Sequence, residues 1–394
     1  MEVIKIGMTE TLFMAVIVLL IGRGIKSKVY FFEKFFIPAP VIGGVLFSIF
    51  SLIGHETGLF SLLFDSNLKD MLMIGFFTTI GFSASLSILK KGGIQVMIFL
   101  GAATGLIFLQ NILGISLAKI FNIHPLLGVA AGSVALTGGH GTAGSIGGIL
   151  EHAGVQGGMT VAIAAATFGL VAGCLIGGPV GKRLLQKYKL TSKNTENSNE
   201  TISSHVAESK ITEENLFHAI FYVAIAMGIG TLINPFIKFL GLPAYIMPML
   251  IAAILRNILD SAKKEMPLNE ITTVGNISLS LFLAMALMGM KLWELSALAV
   301  PLISILLAQT VLMALYAYFA TFYLMGRDYD AATIACGHCG FGMGATPNAM
   351  ANMEAFTVAN GPSIRAFFVV PLVGALFIDF VNITIITAII DFFS

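Results

Sequence analysis

The sequence predicts an all-α polytopic membrane protein: ten transmembrane helices in two inverted five-helix repeats, each with a re-entrant hairpin between its fourth and fifth helix. Three observations predict it. First, hydrophobic residues make up 57% of the 394-residue chain and charged residues 11%, and mean hydropathy is +0.91. A soluble domain carries roughly 25% charged residues. This chain cannot solvate its own surface, so the bilayer must be its solvent. Second, apolar runs of span length recur along the chain. Third, two glycine-rich polar stretches break the apolar pattern at matching places: Thr137-Gly138-Gly139-His140-Gly141-Thr142-Ala143-Gly144, and the run Cys336–Met353.

A membrane helix needs roughly 20 apolar residues. That rule places spans near 8–22, 36–54, 70–88, 93–120 and 156–180 in an N-terminal repeat, residues 1–186. It places a second set near 216–237, 240–257, 271–290, 296–324 and 364–390 in a C-terminal repeat, residues 215–394. Residues 1–22 run into Arg23 without a small-residue cleavage pattern, so they read as a span and not a removed signal. Residues 187–214 are polar and of low complexity, which reads as a flexible linker. Segments 124–153 and 330–357 are too short and too glycine-interrupted to cross twice. Each reads as two half-helices meeting at a glycine loop, tolerated at membrane depth only where protein or a wet cavity covers it.

A shift of 203 positions carries Glu151 onto Glu354, Gly158 onto Gly361, Gly141 onto Gly344 and Pro40 onto Pro243. Five spans per half is an odd number, so the second half sits upside down, the architecture of secondary transporters. Basic residues fix the orientation. With the N-terminus outside, Arg23, Lys26, Lys28, Lys34, Lys90, Lys91, Lys182, Arg183, Lys187, Lys189, Lys193, Arg256, Lys263, Lys264 and Arg327 fall inside. The outside loops keep only Lys69, Lys119, Lys238 and Lys291. Both termini are then outside, the linker is cytoplasmic, and the hairpins enter from opposite faces with their tips near mid-membrane. A net charge of +1 argues against nucleic acid as a partner.

Each tip exposes a helix N-terminus, whose unpaired N–H groups and positive partial charge suit a carboxylate. Adjoining C-terminal ends offer carbonyl oxygens, which suit a hard cation such as Na⁺. The candidate substrate-binding residues are Gly138, Gly139, His140, Gly141 and Thr142 in the first tip, and Gly342, Gly344, Ala345, Thr346 and Asn348 in the second. Thr137, Gly340 and Asp379 are the candidate Na⁺ ligands. For Asp379, deep in the last span, a helix-to-helix hydrogen bond is the equal alternative. Pro347 suits the first turn of the half-helix that follows it. Glycines that merely let helices pack closely are the bland alternative, and the symmetric pairing of two loops argues against it. Gln110 and Gln309, mid-span in the fourth helix of each half, read as inter-helix hydrogen bonders, and Glu151 and Glu354 as bonders at the hairpin bases.

Gly-Gly-His-Gly-Thr (138–142) with Gly-His-Cys-Gly-Phe-Gly-Met-Gly-Ala-Thr-Pro-Asn (337–348) resembles the glutamate:sodium symporters of bacteria, the ESS family, over nearly the whole chain. The resemblance implies Na⁺-coupled uptake of L-glutamate across the bacterial inner membrane, with Na⁺ as coupling ion, no organic cofactor and no enzymatic reaction. The hairpin architecture is also similar to that of the 2-hydroxycarboxylate transporters, which implies a homodimer in membrane lipid with an elevator-like transport part. Uptake of a monoanion into a negative-inside cell is opposed by about 2.3 kcal/mol per 100 mV. One Na⁺ cancels that opposition, so at least two Na⁺ per glutamate are expected. A second substrate carboxylate wants a fixed cation, and Arg365, just after the second hairpin, is the candidate; headgroup anchoring is its alternative.

Three rival functions remain in the sequence, of which a passive channel is disfavoured because inverted hairpins suit alternating access better than an open pore. Another is a Na⁺-coupled carrier of a di- or tricarboxylate. The third is a membrane thiol oxidoreductase using Cys336 and Cys339, disfavoured because no βαβ pattern surrounds that C-x-x-C.

Overall fold

The structure, a computed structural model, describes residues 2–35, 37–192, 211–236, 244–290, 292–294 and 298–393. Most of the expected linker, 193–210, and the first residues of the expected 240–257 span lie outside the described residues.

Helices dominate. In chain order they are α1 (Met8–Lys26), α2 (Ala39–Glu56), α3 (Asn67–Ser83), α4 (Leu86–Ile120), α5 (Pro125–Val134), α6 (Gly139–His152), α7 (Gly158–Tyr188), α8 (Glu213–Ile233), α9 (Ile246–Ser261) and α10 (Leu268–Met288). They continue as α11 (Ala299–Leu324), α12 (Tyr329–Gly342), α13 (Thr346–Asn360), α14 (Ile364–Leu376) and α15 (Ile378–Phe393). Gly93, at φ +68°, breaks α4 so that its apolar part runs from Gly93 to Ile120. The ends of the linker are helical: α7 runs to Tyr188, and Thr212 caps α8 by accepting from Asn215 N at 3.2 Å.

Seven of the described helices are long and apolar enough to cross a membrane: α1, α2, α4, α7, α8, α10 and α11. The pair α14–α15, bent by 42°, makes an eighth if taken as one crossing. The protein is therefore a multi-pass membrane protein. Helices stand at all ten expected span positions, but α3 at 17 residues and α9 at 16 are shorter than the roughly 20 a span needs.

One element departs from the all-α expectation. Strands β1 (Glu2–Ile6) and β2 (Phe60–Phe64) pair in parallel, with Val3 opposite Ser61 and Ile6 opposite Phe64. Both strands lead into helices, α1 and α3, that start on one side because α2 returns the chain between them. Segments of five residues such as these are invisible beside the apolar runs that follow.

Packing sorts the helices into two groups that cut across the two halves of the chain. Helices α1, α2 and α3 pack with α8, α9 and α10. There Ser48 Oγ donates to Leu287 O at 2.6 Å, and a Cβ added to Gly81 would lie 2.1 Å from Met249 O. Helices α4–α7 pack with α11–α15. Within this second group Gly169, Gly173 and Gly177, four residues apart on α7, form a bare stripe. Added Cβ atoms would meet Met343 O, Cys339 O and Cys336 O at 2.1, 2.8 and 2.8 Å. Small residues at this spacing let helix backbones touch, which is how helices associate where lipid removes the hydrophobic drive. The groups meet chiefly where α6 lies on α10.

Candidate functional site

Two helix–break–helix units build the site. In the first, His124 caps α5 through Nδ1, which accepts from Leu126 N at 3.3 Å. Helical geometry fails at Gly132 (φ −102°, ψ −128°), residues 135–138 turn, and α6 starts at Gly139 with φ +62°. In the second unit Asp328 caps α12, its Oδ1 accepting from Ala331 N at 2.8 Å. That helix ends at Gly342, and α13 starts at Thr346 with Pro347 in its first turn. A proline costs nothing there because the N–H it lacks has no helical partner.

The two breaks meet. A Cβ added to Gly139 would lie 3.1 Å from Gly344 O. Gln110 of α4 spans them: its Nε2 donates to Gly342 O at 2.7 Å, and its Oε1 accepts from Thr137 Oγ1 at 2.7 Å. Gln309 Nε2 of α11 donates to Gln110 O at 2.7 Å. All of these groups are buried.

A cavity of about 540 Å³ surrounds this contact. It brings together Thr137, Gly138, Gly139, His140, Gly141 and Thr142 of the first break, Gly344, Ala345, Thr346 and Asn348 of the second, and Asp379 of α15. The opposite wall comes from the other packing group: Leu19 and Arg23 of α1, Pro38–Pro40 at the start of α2, Phe76 and Ile80 of α3, and Leu279, Ser280 and Leu283 of α10. The cavity therefore lies on the seam between the groups. The first turns of α6 and α13 both border it, so two positive helix ends converge on one space.

Individual side chains are held from behind. His140 Nε2 lies 3.0 Å from Thr167 Oγ1. Asn348 Nδ2 donates to Leu170 O at 3.0 Å, while Asn348 Oδ1 is buried without a partner. Among the described residues Asp379 has no hydrogen-bond or ion-pair partner, so the alternative of a helix-to-helix bond is not realised there.

Three expected site residues lie elsewhere. Gly342 packs on α4 and α11, where an added Cβ would meet Leu106 Cδ2 at 2.6 Å and Met313 Sδ at 2.7 Å. Gly340 O is taken by Ala345 N at 3.3 Å, inside the turn of the break. Arg365 ion-pairs with Asp328 and, at 3.6 Å, with Asp330, at the base of the second unit. It stands nine residues before the cavity-lining Gly374, about 13 Å along α14. Cys336 and Cys339 are free, buried thiols, and the described residues hold no His/Cys/Asp/Glu cluster fit for a metal.

Sequence reasoning missed Arg23, which lines the cavity as its single Arg or Lys. It sat in a basic cluster that orientation alone explained, so no signal in the sequence marked it.

The family model for "Sodium/glutamate symporter" matches residues 4–362. A sodium/glutamate symporter of Escherichia coli is 43% identical over 383 residues, 95% of each chain. The sodium/glutamate symporter of Shigella flexneri gives the same figures. That of Haemophilus influenzae is 42% identical over 382 residues, 95% of this chain and 94% of that protein.

Proposed function

Because the chain belongs to the sodium/glutamate symporter family, a family of transporters and not of enzymes, we propose that it carries L-glutamate into the cell by Na⁺-coupled symport through alternating access. The observation that carries this reading is the cavity at the meeting of the two breaks, walled by both packing groups. Its volume lies within the roughly 300–1,000 Å³ of ordinary small-ligand sites.

The chemistry of the wall suits an amino acid with two carboxylates and one ammonium group, a net monoanion. The helix ends at Gly139–Thr142 and Ala345–Asn348 favour carboxylates. The unpartnered Asn348 Oδ1 and the unpaired Asp379 accept from an ammonium or ligate Na⁺. Arg23 offers the fixed cation for the distal carboxylate, in place of Arg365. Thr137 supplies a further oxygen at the cavity wall.

The two breaks act in this reading as tips of re-entrant hairpins entering from opposite faces, with the termini outside and the linker cytoplasmic. The group that carries both tips slides, as an elevator, against the group of α1–α3 and α8–α10. Lipid surrounds the assembly, and two copies form a homodimer. With two or more Na⁺ per glutamate the membrane potential itself drives uptake.

Uptake of labelled glutamate into proteoliposomes tests the function. An inward Na⁺ gradient should drive accumulation that a K⁺ or choline gradient does not, and an inside-negative potential should accelerate it. Accumulation indifferent to Na⁺ contradicts symport.

A further inference from the structure

A second cluster of unsatisfied oxygens lies just behind the cavity. Ser133 Oγ and Asn382 Oδ1 are both buried, and neither has a hydrogen-bond partner. They are held against each other: Asn382 Nδ2 donates to Ser133 O at 2.9 Å, and Ser133 N donates to Asn111 Oδ1 at 3.3 Å. Buried polar atoms are satisfied in the great majority of cases, so two orphan oxygens on one contact ask for an occupant. The backbone beside them leaves helical geometry at Gly132, in a π-turn over Ala130–Val134. Such irregular turns are frequent at functional sites.

The position relates this cluster to the cavity on both elements. Ser133 precedes the cavity-lining Thr137 by four residues, and Asn382 follows the cavity-lining Asp379 by three, one turn of α15. Thr137 and Asp379 thus line the cavity, whereas Ser133 and Asn382 do not line it and are buried next along each segment. We propose that Ser133 Oγ and Asn382 Oδ1 bind a coupling Na⁺ ion behind the substrate cavity, reached past Thr137 and Asp379. This rests on the Na⁺-symport reading. Neutral hydroxyl and amide oxygens replace the hydration shell of a hard cation, and the unpaired carboxylate one turn away supplies negative charge that a cation feels and a water does not. The rival occupant is a water, because Asn111 Nδ2, a donor, is also unpartnered nearby.

The test compares the wild type with Ser133→Ala and Asn382→Ala in the full-length protein. Half-saturating Na⁺ for glutamate uptake should rise about tenfold or more, as loss of even an outer partner of a metal site can cause. The glutamate KM at saturating Na⁺ should stay as in the wild type, and Na⁺-induced thermal stabilisation without glutamate should shrink. Unchanged Na⁺ responses in both variants overturn the proposal while wild-type Na⁺ dependence keeps the symport reading intact. Na⁺-independent wild-type uptake would instead defeat the symport reading. If the variants do not fold, wild-type maps in NaCl and in choline chloride decide. Density between the two oxygens only in Na⁺ supports the ion, and density in both salts marks a water and overturns it.

Discussion

Gly139, the first residue of α6, faces the carbonyl oxygen of Gly344 across the junction of the two breaks, at 3.1 Å from where its Cβ would stand. Two bare backbones touch there, one from each half of the chain. The contact brings two helix N-termini to one cavity without filling it. Gly139 also has φ +62°, a conformation that side chains resist.

Gly139→Ala should therefore abolish most transport. The left-handed conformation costs a non-glycine residue about 1–2 kcal/mol, and the new methyl crowds Gly344 O as well. Gly101→Ala, which meets open space, is the matched control and should transport normally. Initial uptake rates at equal protein levels measure both. A Gly139→Ala rate equal to that of the control shows that the close approach is not needed.

Gln110 is the strut between the two breaks. Gln110→Leu strands Thr137 Oγ1 and Gly342 O, and a buried unsatisfied group costs about 1–3 kcal/mol. The thermal midpoint should fall, and so should uptake. Gln110→Leu combined with Thr137→Val should be less harmful than the sum of the single changes, with a coupling of about 0.5–3 kcal/mol. Additive effects indicate that the strut does not hold Thr137.

The positions of the helices were legible because lipid solvent forces long apolar runs, and the glycine breaks stood out against them. Thr137–Thr142 and Ala345–Asn348 were readable for the same reason: polar, bare residues inside apolar runs have few structural uses. Asp379 was visible as an intramembrane carboxylate. Gly340 and Gly342 were indistinguishable in sequence from Gly344, since only packing on Leu106, Met313 and Asn348 separates packing glycines from lining ones. The pairing of Arg365 with Asp328 and Asp330 was not legible, because those partners lie 35–37 residues away in sequence. The division into two packing groups leaves no trace in composition, and neither does the β1–β2 pair.

Arg23 lines the cavity and Arg365 ion-pairs with Asp328 and Asp330. Arg365→Lys should leave the glutamate KM within about twofold of wild type, because it removes no substrate contact. Its cost should appear in thermal stability, through the Asp328–Asp330 cluster. Arg23→Ala should raise the glutamate KM about tenfold or more, the loss of one charge-assisted contact. The opposite pattern in uptake kinetics returns Arg365 to the substrate.

The proposed sliding at the seam has a direct probe. A Cβ at Gly144 would lie 3.2 Å from Leu283 Cδ2, so this pair joins α6 to α10 across the two groups. In the double variant Gly144→Cys/Leu283→Cys, mercuric cross-linking should stop uptake and thiol reduction should restore it. Uptake that continues while the bridge is intact means that the groups do not slide at this contact.

We propose that one cavity, formed where the two breaks touch, holds the transported glutamate. The most direct measurement is an experimental map of the protein in saturating Na⁺ and L-glutamate. Ligand density is expected between Gly139–Thr142 and Ala345–Asn348, with Asn348 Oδ1 in contact with it. Ligand density elsewhere, with that cavity holding only solvent, would show that glutamate binds at another site.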